Sequence, residues 1–109
     1  MSGSTDHHDK SRDVYISHKL YLERRRANHY YNLGYILYEE MINDSTKATV
    51  DNLKDSIKNF EIALLFNQND VDAKARKRDL CEKHSNKLTI SVLNSIKNTA
   101  RKEYKECTC

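Results

Sequence analysis

Apolar residues recur at three- and four-residue steps along most of this chain, which is the period of an amphipathic α-helix. The first periodic stretch covers residues 11–42 and includes Ile16, Leu20 and Leu37. Because no proline marks a stop within it, we predict one continuous or gently bent helix. A break near residues 27–28, giving two helices, is the alternative.

The strongest amphipathic signal lies in a second helix, which follows a polar loop at residues 43–49. The Asn, Asp, Ser and Thr side chains of this loop bond to their own backbone and so compete with helix. Thr49 or Asp51 is placed to cap the new helix, which should run to about Phe66. Its apolar stripe steps by four, three and four residues and consists of Leu53, Ile57, Phe60 and Leu64.

Two further helices are predicted in the second half of the chain. Asn69 or Asp70 can cap a third helix over about 71–84, which is polar apart from a few apolar positions. A turn at residues 85–86 should separate it from a last helix over about 88–105, although a fused helix is the alternative. One side of the last helix is apolar through Leu93, Ile96, Ala100 and Tyr104.

The composition favours an all-α fold. The 109 residues include no proline and only two glycines, and 32% are charged, so little interrupts the backbone hydrogen bonds of a helix. The length suffices for one domain with one modest core. We therefore predict a single helical domain over residues 11–106, with a disordered polar tail at 1–10 before it and a Cys-x-Cys tail at 107–109 after it.

Charge and cysteine content give weak indications of setting. The net charge of +3 does not by itself indicate nucleic acid. No apolar run approaches the roughly 18 residues that cross a bilayer, so no transmembrane segment is expected. The polar N-terminus resembles neither a signal peptide nor a basic transit peptide. Three cysteines give no disulfide framework, so we expect a reducing setting, cytoplasmic or nuclear, and take cytoplasmic as our prediction.

Two segments place small and aromatic residues at the spacing of a helical hairpin. Tyr-Tyr-Asn-Leu-Gly-Tyr-Ile-Leu contains Leu33 and Gly34, and Ser-Ile-Lys-Asn-Phe-Glu-Ile-Ala contains Ser56, Phe60 and Ala63. Together they resemble the two halves of the tetratricopeptide (TPR) repeat, whose small residues let paired helices approach closely.

The resemblance covers residues 28–70 and implies an all-α fold of TPR-like antiparallel helical hairpins, an α-solenoid fragment, with flanking N- and C-terminal helices. One and a half repeats is fewer than the roughly three that stand alone, so flanking helices must cap the unit or a partner must complete it. The contact that the resemblance implies between the first two helices involves Leu33, Gly34, Leu37, Phe60 and Ala63.

The chain departs from the TPR pattern at several places. Gln68 stands where proline is usual, Ser56 where alanine is usual, and Leu37 where tyrosine is common. The connection between the two halves is about ten residues longer than in a repeat of about 34 residues. Both helices are then extended, with residues 43–49 as an inserted tip.

Chaperone-tail binding, which many cytosolic TPR domains perform, is disfavoured here. The carboxylate clamp of those domains needs an Asn after the Leu-Gly pair and a Lys four residues before an Arg. Tyr35 follows Gly34 in this chain, and Asp72 stands four residues before Arg76. An acidic side chain at that position repels a carboxylate.

Tyrosines and basic residues are the candidate interaction residues. Tyrosine is favoured at interfaces because it buries a large area and keeps a hydroxyl. We expect the tyrosines near Leu33 and Gly34 to face a partner. The alternative is that they pack against the leading helix, which is the segment before the possible break at residues 27–28. The candidate partner-binding residues are Tyr31, Tyr35, Tyr38, Lys74 and Arg78.

A second candidate surface is basic and could meet phosphates or an acidic protein strip. Three consecutive arginines fan around a helix, so they cannot all face one ligand, and an ordinary solvated face is the alternative reading. This basic patch consists of Arg24, Arg25, Arg26, Arg76 and Lys77.

Candidate chemistry is sparse. His7 and His8 adjoin two aspartates, but adjacent side chains in a tail do not preset metal geometry, so no metal or other cofactor is expected. No nucleophile–base motif or phosphate-binding loop is present, so we expect no enzyme activity. The ending with Cys107 and Cys109 resembles the Cys-x-Cys tail that carries two prenyl groups in Rab-type GTPases, and makes lipidation a hypothesis.

These observations favour a non-enzymatic TPR-like adaptor or scaffold subunit that binds another protein within a larger assembly. The first alternative is a basic helical module that contacts RNA or an acidic protein surface. The second is a peripheral membrane protein lipidated at its Cys-x-Cys tail.

Overall fold

A computed structural model describes the backbone of residues 2–108, and the side chains of Val14 and of residues 16–108. Over this range the chain forms helices and turns without a β-strand, so the all-α prediction is confirmed for the described residues. The four α-helices are α1 (Ser2–Asn43), α2 (Val50–Phe66), α3 (Val71–Lys83) and α4 (Ile90–Thr108), with a short 3-10 turn at Ser45–Lys47.

Helix α1 is continuous, as its uninterrupted periodicity predicts. It begins at Ser2. The side chains of residues 1–10, which we predicted as a disordered tail, lie outside the described residues, so that prediction stays a prediction. The length of α1 gives the molecule extents of 67 × 26 × 18 Å.

Local polar side chains begin the shorter helices where the sequence predicts. The Thr49 hydroxyl accepts a hydrogen bond from the Asn52 amide at 3.2 Å, and the Asp70 carboxylate accepts one from the Ala73 amide at 3.0 Å. Both bonds satisfy amides that a helix leaves without a partner in its first turn. The turn predicted at residues 85–86 is also confirmed, since α3 ends at Lys83 and α4 begins at Ile90.

Helix α2 lies at the centre and packs against each of the other three helices. Its predicted stripe is confirmed as core, because Leu53, Ile57 and Phe60 are fully buried. The main buried cluster joins this stripe to Tyr38 and Met41 of α1, and to residues of α3 and α4. A second cluster, at the other end of α2, consists of Ala27, Ile62, Phe66 and Ala100.

The two clusters show that α1 and α2 run antiparallel. Ala27 of α1 lies with Phe66 near the end of α2, whereas Met41 lies in the cluster that contains Leu53 near its start. Helix α4 then runs along α2 in the same direction, and Lys58 pairs with Glu103 at 2.9 Å on that contact. The finer TPR-like arrangement stays a prediction.

Gly34 lies at a close contact between α1 and α2. A Cβ atom at this position would lie 2.9 Å from Cδ1 and Cε1 of Phe60 and 3.0 Å from the Ser56 carbonyl oxygen. The Ser56 hydroxyl donates a buried hydrogen bond of 2.8 Å to the Gly34 carbonyl. The absence of a side chain on Gly34 therefore permits this helix crossing.

Leu33 does not share that contact. It is 39% exposed and belongs to neither buried cluster, so its predicted packing against Phe60 and Ala63 is wrong. The reason is helical phase, because Gly34 faces α2 and the next residue along a helix points about 100° away. Leu37 is partly buried against the main cluster.

Candidate functional site

Three tyrosines of α1 form a stacked row on the side of the helix that faces α2 and α3. The rings of Tyr31 and Tyr35 are 5.8 Å apart, and those of Tyr35 and Tyr38 are 5.9 Å apart. The Tyr31 ring also lies 5.6 Å from that of Phe60. Tyr31 and Tyr38 share the face of Gly34, because they lie three residues before it and four residues after it, whereas Tyr35, at the next position, lies about 100° round the helix.

Arg76 of α3 lies against this row, and together they form what we call the tyrosine–arginine cluster (Tyr31, Tyr35, Tyr38, Arg76). The Arg76 guanidinium lies 5.5 Å from the Tyr35 ring centre and 5.3 Å from that of Tyr38, distances at which a cation is attracted to a ring. Hydrogen bonds with the hydroxyls of Tyr31 and Tyr38 raise the pKa of Arg76 above its ordinary value, so the guanidinium stays charged. Its buried Nε has no hydrogen-bond partner among the described residues.

Tyr38 closes the inner end of the cluster. Its hydroxyl donates a 2.5 Å hydrogen bond to the Asp79 carboxylate, which also pairs with Lys83 at 3.2 Å. The Tyr38 hydrogen bond is the main reason that the pKa of Asp79 lies below its ordinary value of 3.8. Burial, and then this hydrogen bond, raise the pKa of Tyr38.

The position of Tyr38 corrects its predicted role as a contact for a partner. Only 6% of the residue is exposed, so it joins α1 to α3 within the chain. Tyr31 and Tyr35 are half-buried and keep part of each ring at the surface. The alternative that the sequence left open, packing against the leading helix, does not describe Tyr38 either, because its hydroxyl and ring contact Asp79 and Arg76 of α3.

The predicted basic residues of α3 lie on two faces. Lys74, Lys77 and Arg78 line a shallow cavity with Cys81, whereas Arg76 points to α1. Lys77 also forms an ion pair with Glu61 of α2. The structure thus separates the exposed Lys74 and Arg78 from the tyrosines with which the sequence grouped them.

Arg24, Arg25 and Arg26 are exposed on α1, as an arginine run on a helix surface should be. Arg26 differs from the other two because its guanidinium lies 6.0 Å from the centre of the Phe66 ring. The three side chains fan around the helix, so only part of the predicted patch can face any one ligand.

A contact between α1 and the end of α4 has no counterpart in our sequence analysis. The Tyr30 hydroxyl lies 2.9 Å from the Cys107 thiol, and the two residues are 77 positions apart. This hydrogen bond, together with burial, raises the pKa of Tyr30 to about 12. No local pattern signals so distant a pair. Cys107, one of the two cysteines of the lipidation hypothesis, is half-buried, and Cys109 lies outside the described residues.

Within the described part of the chain, no three His, Cys, Asp or Glu side chains lie close enough to hold a metal ion. The candidate pair His7 and His8 lies outside the described side chains. None of the helices over residues 2–108 has the length and apolar character needed to cross a membrane.

No family model, curated protein or solved structure matches this chain. The TPR resemblance therefore depends on the residues quoted for it. The candidate site is defined by its own geometry, in which the tyrosine rings of α1 lie against the Arg76 guanidinium of α3.

Proposed function

We propose that this chain is a non-enzymatic, TPR-like helical adaptor that binds another protein and contributes to a larger assembly. The binding surface in this proposal is the exposed part of the tyrosine–arginine cluster, formed by Tyr31, Tyr35 and Arg76. A heat-shock chaperone tail is disfavoured as its ligand, since Asp72 occupies the place of a carboxylate-binding lysine.

The observation that carries the proposal is the composition and rigidity of that surface. Tyrosine and arginine are the residue types that most often supply binding energy at protein interfaces. Here both are held in place, because Tyr31 packs on Phe60 and Arg76 stacks on two rings. Side chains already fixed in the free protein lose less conformational entropy on binding.

The close crossing of α1 and α2 at Gly34 supports the TPR-like part of the proposal. Small residues at helix contacts are what the TPR pattern requires. The crossing at Gly34 and Phe60 involves two of the positions that carry the resemblance. This support is analogy of local packing, and the function is argued from the surface residues.

A pull-down of the full chain from native extract, followed by mass spectrometry, tests the adaptor proposal. We expect a partner at fixed stoichiometry, and we expect Tyr35→Ala to lose it. Ile36→Ala is the matched control, because Ile36 is 56% exposed on another side of the same helix turn. Recovery of the bare chain alone, or equal capture by both variants, would contradict the proposal.

A second candidate function is a basic module that contacts RNA or an acidic protein surface. The exposure of Arg24, Arg25 and Arg26 favours it, because all three side chains reach solvent. Binding to heparin or RNA that collapses as salt rises would support this function, because such binding releases counterions. Binding whose affinity does not change with salt concentration would argue against this second function.

A further inference from the structure

A groove lies at the corner where α1 extends past the last residues of α2 and α4. Its volume is about 330 Å³. We call it the corner groove, and its wall includes three apolar side chains and three charged ones, which are Leu22, Phe66, Tyr104, Lys19, Glu23 and Arg26.

The floor of the corner groove is continuous with the core. Phe66 is 8% exposed, and its ring meets that of Tyr104 edge-on at 4.8 Å. Tyr30 stacks on the same ring at 6.0 Å. An apolar side chain entering the groove would therefore meet aromatic rings that are already fixed, which lowers the entropy cost of binding.

The apolar stripe of α1 continues beyond this corner. Ile16 and Leu20 lie on the side of the helix that carries the buried Ala27, because the steps of four and seven residues return to one face. Ile16 is 47% exposed and Leu20 is 48% exposed, so no described part of α2 or α4 covers them fully. The stripe that packs on α2 thus extends into a stretch where a further element would fit.

Charge around the corner groove selects among possible occupants. Lys19 and Arg26 line it, Arg24 and Arg25 follow on the same turn, and Glu23 is the one acidic residue between Leu20 and Ala27. A second copy of α1 would bring the same basic residues against this rim, and like charges repel. A segment that carries carboxylates complements it.

We propose that the corner groove binds an acidic segment of a partner protein, with one bulky apolar side chain on Phe66 and Tyr104 and with carboxylates against Lys19 and Arg26. The partner being a protein rests on the adaptor function proposed above. The surface is a different one, so substitutions here and at Tyr35 separate the two proposals.

The probe for this test is a synthetic amphipathic peptide of glutamate, alanine and leucine with one central phenylalanine. Two matched peptides replace every glutamate with glutamine or the phenylalanine with alanine. Titration into the isotope-labelled full chain, followed by NMR, should shift the signals of Leu22, Phe66 and Tyr104. We expect either peptide replacement to weaken binding roughly tenfold, because one removes the carboxylates that meet Lys19 and Arg26 and the other removes the aromatic side chain.

Paired charge reversals in the protein complete the test. Lys19→Glu with Arg26→Glu should weaken the glutamate peptide roughly tenfold, whereas Lys74→Glu with Arg78→Glu, an equal charge change on α3, should not. Circular dichroism checks that both variants fold. If the variant that contains Arg26→Glu does not fold, Lys19→Gln alone replaces it in the binding measurement. Equal weakening by both pairs, absent binding, or shifts confined to Tyr35 and Arg76 would overturn the proposal.

Other occupants give different results. A concentration-dependent dimer in sedimentation that the Lys19 and Arg26 reversal abolishes would overturn the proposal in favour of a second copy. Binding to vesicles rich in phosphatidylserine, without peptide binding, would overturn it in favour of a membrane surface. Peptide binding by the native chain, together with a Tyr35→Ala variant that still captures every native partner, would leave this proposal standing and the adaptor surface at Tyr35 without support.

Discussion

At the scale of single residues, Gly34 determines how closely α1 and α2 approach. Its missing side chain leaves room for the Phe60 ring and for the Ser56 carbonyl, and both neighbours are fixed. Phe60 is fully buried, and the carbonyl belongs to the backbone of α2. Neither can move away cheaply, since protein cores are close-packed.

Replacing Gly34 with alanine should therefore destabilise the chain. Alanine gains about 1 kcal/mol over glycine in a helix, but overpacking a core costs about 1–3 kcal/mol. We expect a net loss of up to roughly 2 kcal/mol in the free energy of unfolding, measured by urea denaturation. Asn32→Ala, at an exposed position of the same helix, should be neutral or slightly stabilising. A more stable Gly34→Ala variant would show that the close contact does not exist.

Asp79 should make stability depend on pH at the acid end. Its pKa is lowered in the fold, chiefly by the Tyr38 hydrogen bond, so its contribution is present above its ordinary value of 3.8. That contribution is lost as the pH falls below 3.8 through the lowered value, because protonation removes the charge that Tyr38 and Lys83 meet.

The measurement compares the unfolding free energy of the native chain and of Asp79→Asn between pH 6 and pH 2, a range that spans the titration of a carboxyl group by about two units on each side. We expect the gap between the two proteins to narrow as the pH falls. A gap that stays constant would mean that Asp79 does not titrate differently in the folded chain. Glu39→Gln, at an exposed position, is the matched control.

At the scale of helices, α1 divides into a packed part and an extended part. Ala27 is the first fully buried residue among those that the structure describes along α1. Upstream of it, Ile16 and Leu20 are about half exposed, so tertiary packing contributes little there. A helix without such packing depends on its own propensity, which is weak in water.

Proline substitutions should separate these two parts. Ser17→Pro and Asn32→Pro both replace exposed residues of α1. A proline inside a helix costs about 3 kcal/mol or more, because it removes a hydrogen bond and displaces a turn. We expect Asn32→Pro to lose that amount in urea denaturation, and Ser17→Pro to lose helical signal in circular dichroism with little change in melting temperature. Equal losses of stability at both sites would contradict the division.

The helices themselves could be predicted from the sequence, but the faces that they present could not all be. Polar caps such as Thr49 and Asp70 act within one turn, so they can be read locally. The side of α1 that packs was ambiguous because tyrosines, Leu33 and Ile36 occur all round it. Gly34 gives its phase, since the residue of closest approach must face α2, and Leu33 then lies outside.

The candidate site was predictable only in part. Tyr31 and Tyr35 were identified, but the cation that joins them comes from α3, and Arg76 was assigned to a general basic patch. Its stacking on Tyr35 and Tyr38 depends on how α3 packs against α1, which a single sequence does not show. Lys74 and Arg78 were placed with the tyrosines because the third helix was expected to line the same groove, yet they lie on a different face of α3 from Arg76.

At the scale of the whole molecule, the chain is elongated for its size. The radius of gyration is 18.1 Å, whereas a compact chain of about 100 residues has about 13 Å. The excess comes from α1, whose length sets the longest extent of 67 Å. The extended part of α1 is therefore the main reason that the surface of the chain is large for the size of its buried core.

Small-angle X-ray scattering tests this shape in solution. We expect a radius of gyration near 18.1 Å for the monomer. Ser17→Pro should lower the radius of gyration or broaden the distribution of molecular dimensions, because the residues before it no longer continue the straight helix α1. Asn32→Ala should leave the radius of gyration unchanged. A native value near 13 Å would mean that the upstream part of α1 folds back on the core.

The path of α4 has a consequence for the order in which the chain assembles. The Ser56 hydroxyl reaches Gly34 across 22 positions, whereas Cys107 meets Tyr30 across 77, and longer loops cost more entropy to close. The hairpin of α1 and α2 should thus form early, and α4 should dock last and detach first. In hydrogen–deuterium exchange, the amides of α4 would then open at a free energy below that of α2, so that a transient species with a bare α2 flank precedes global unfolding.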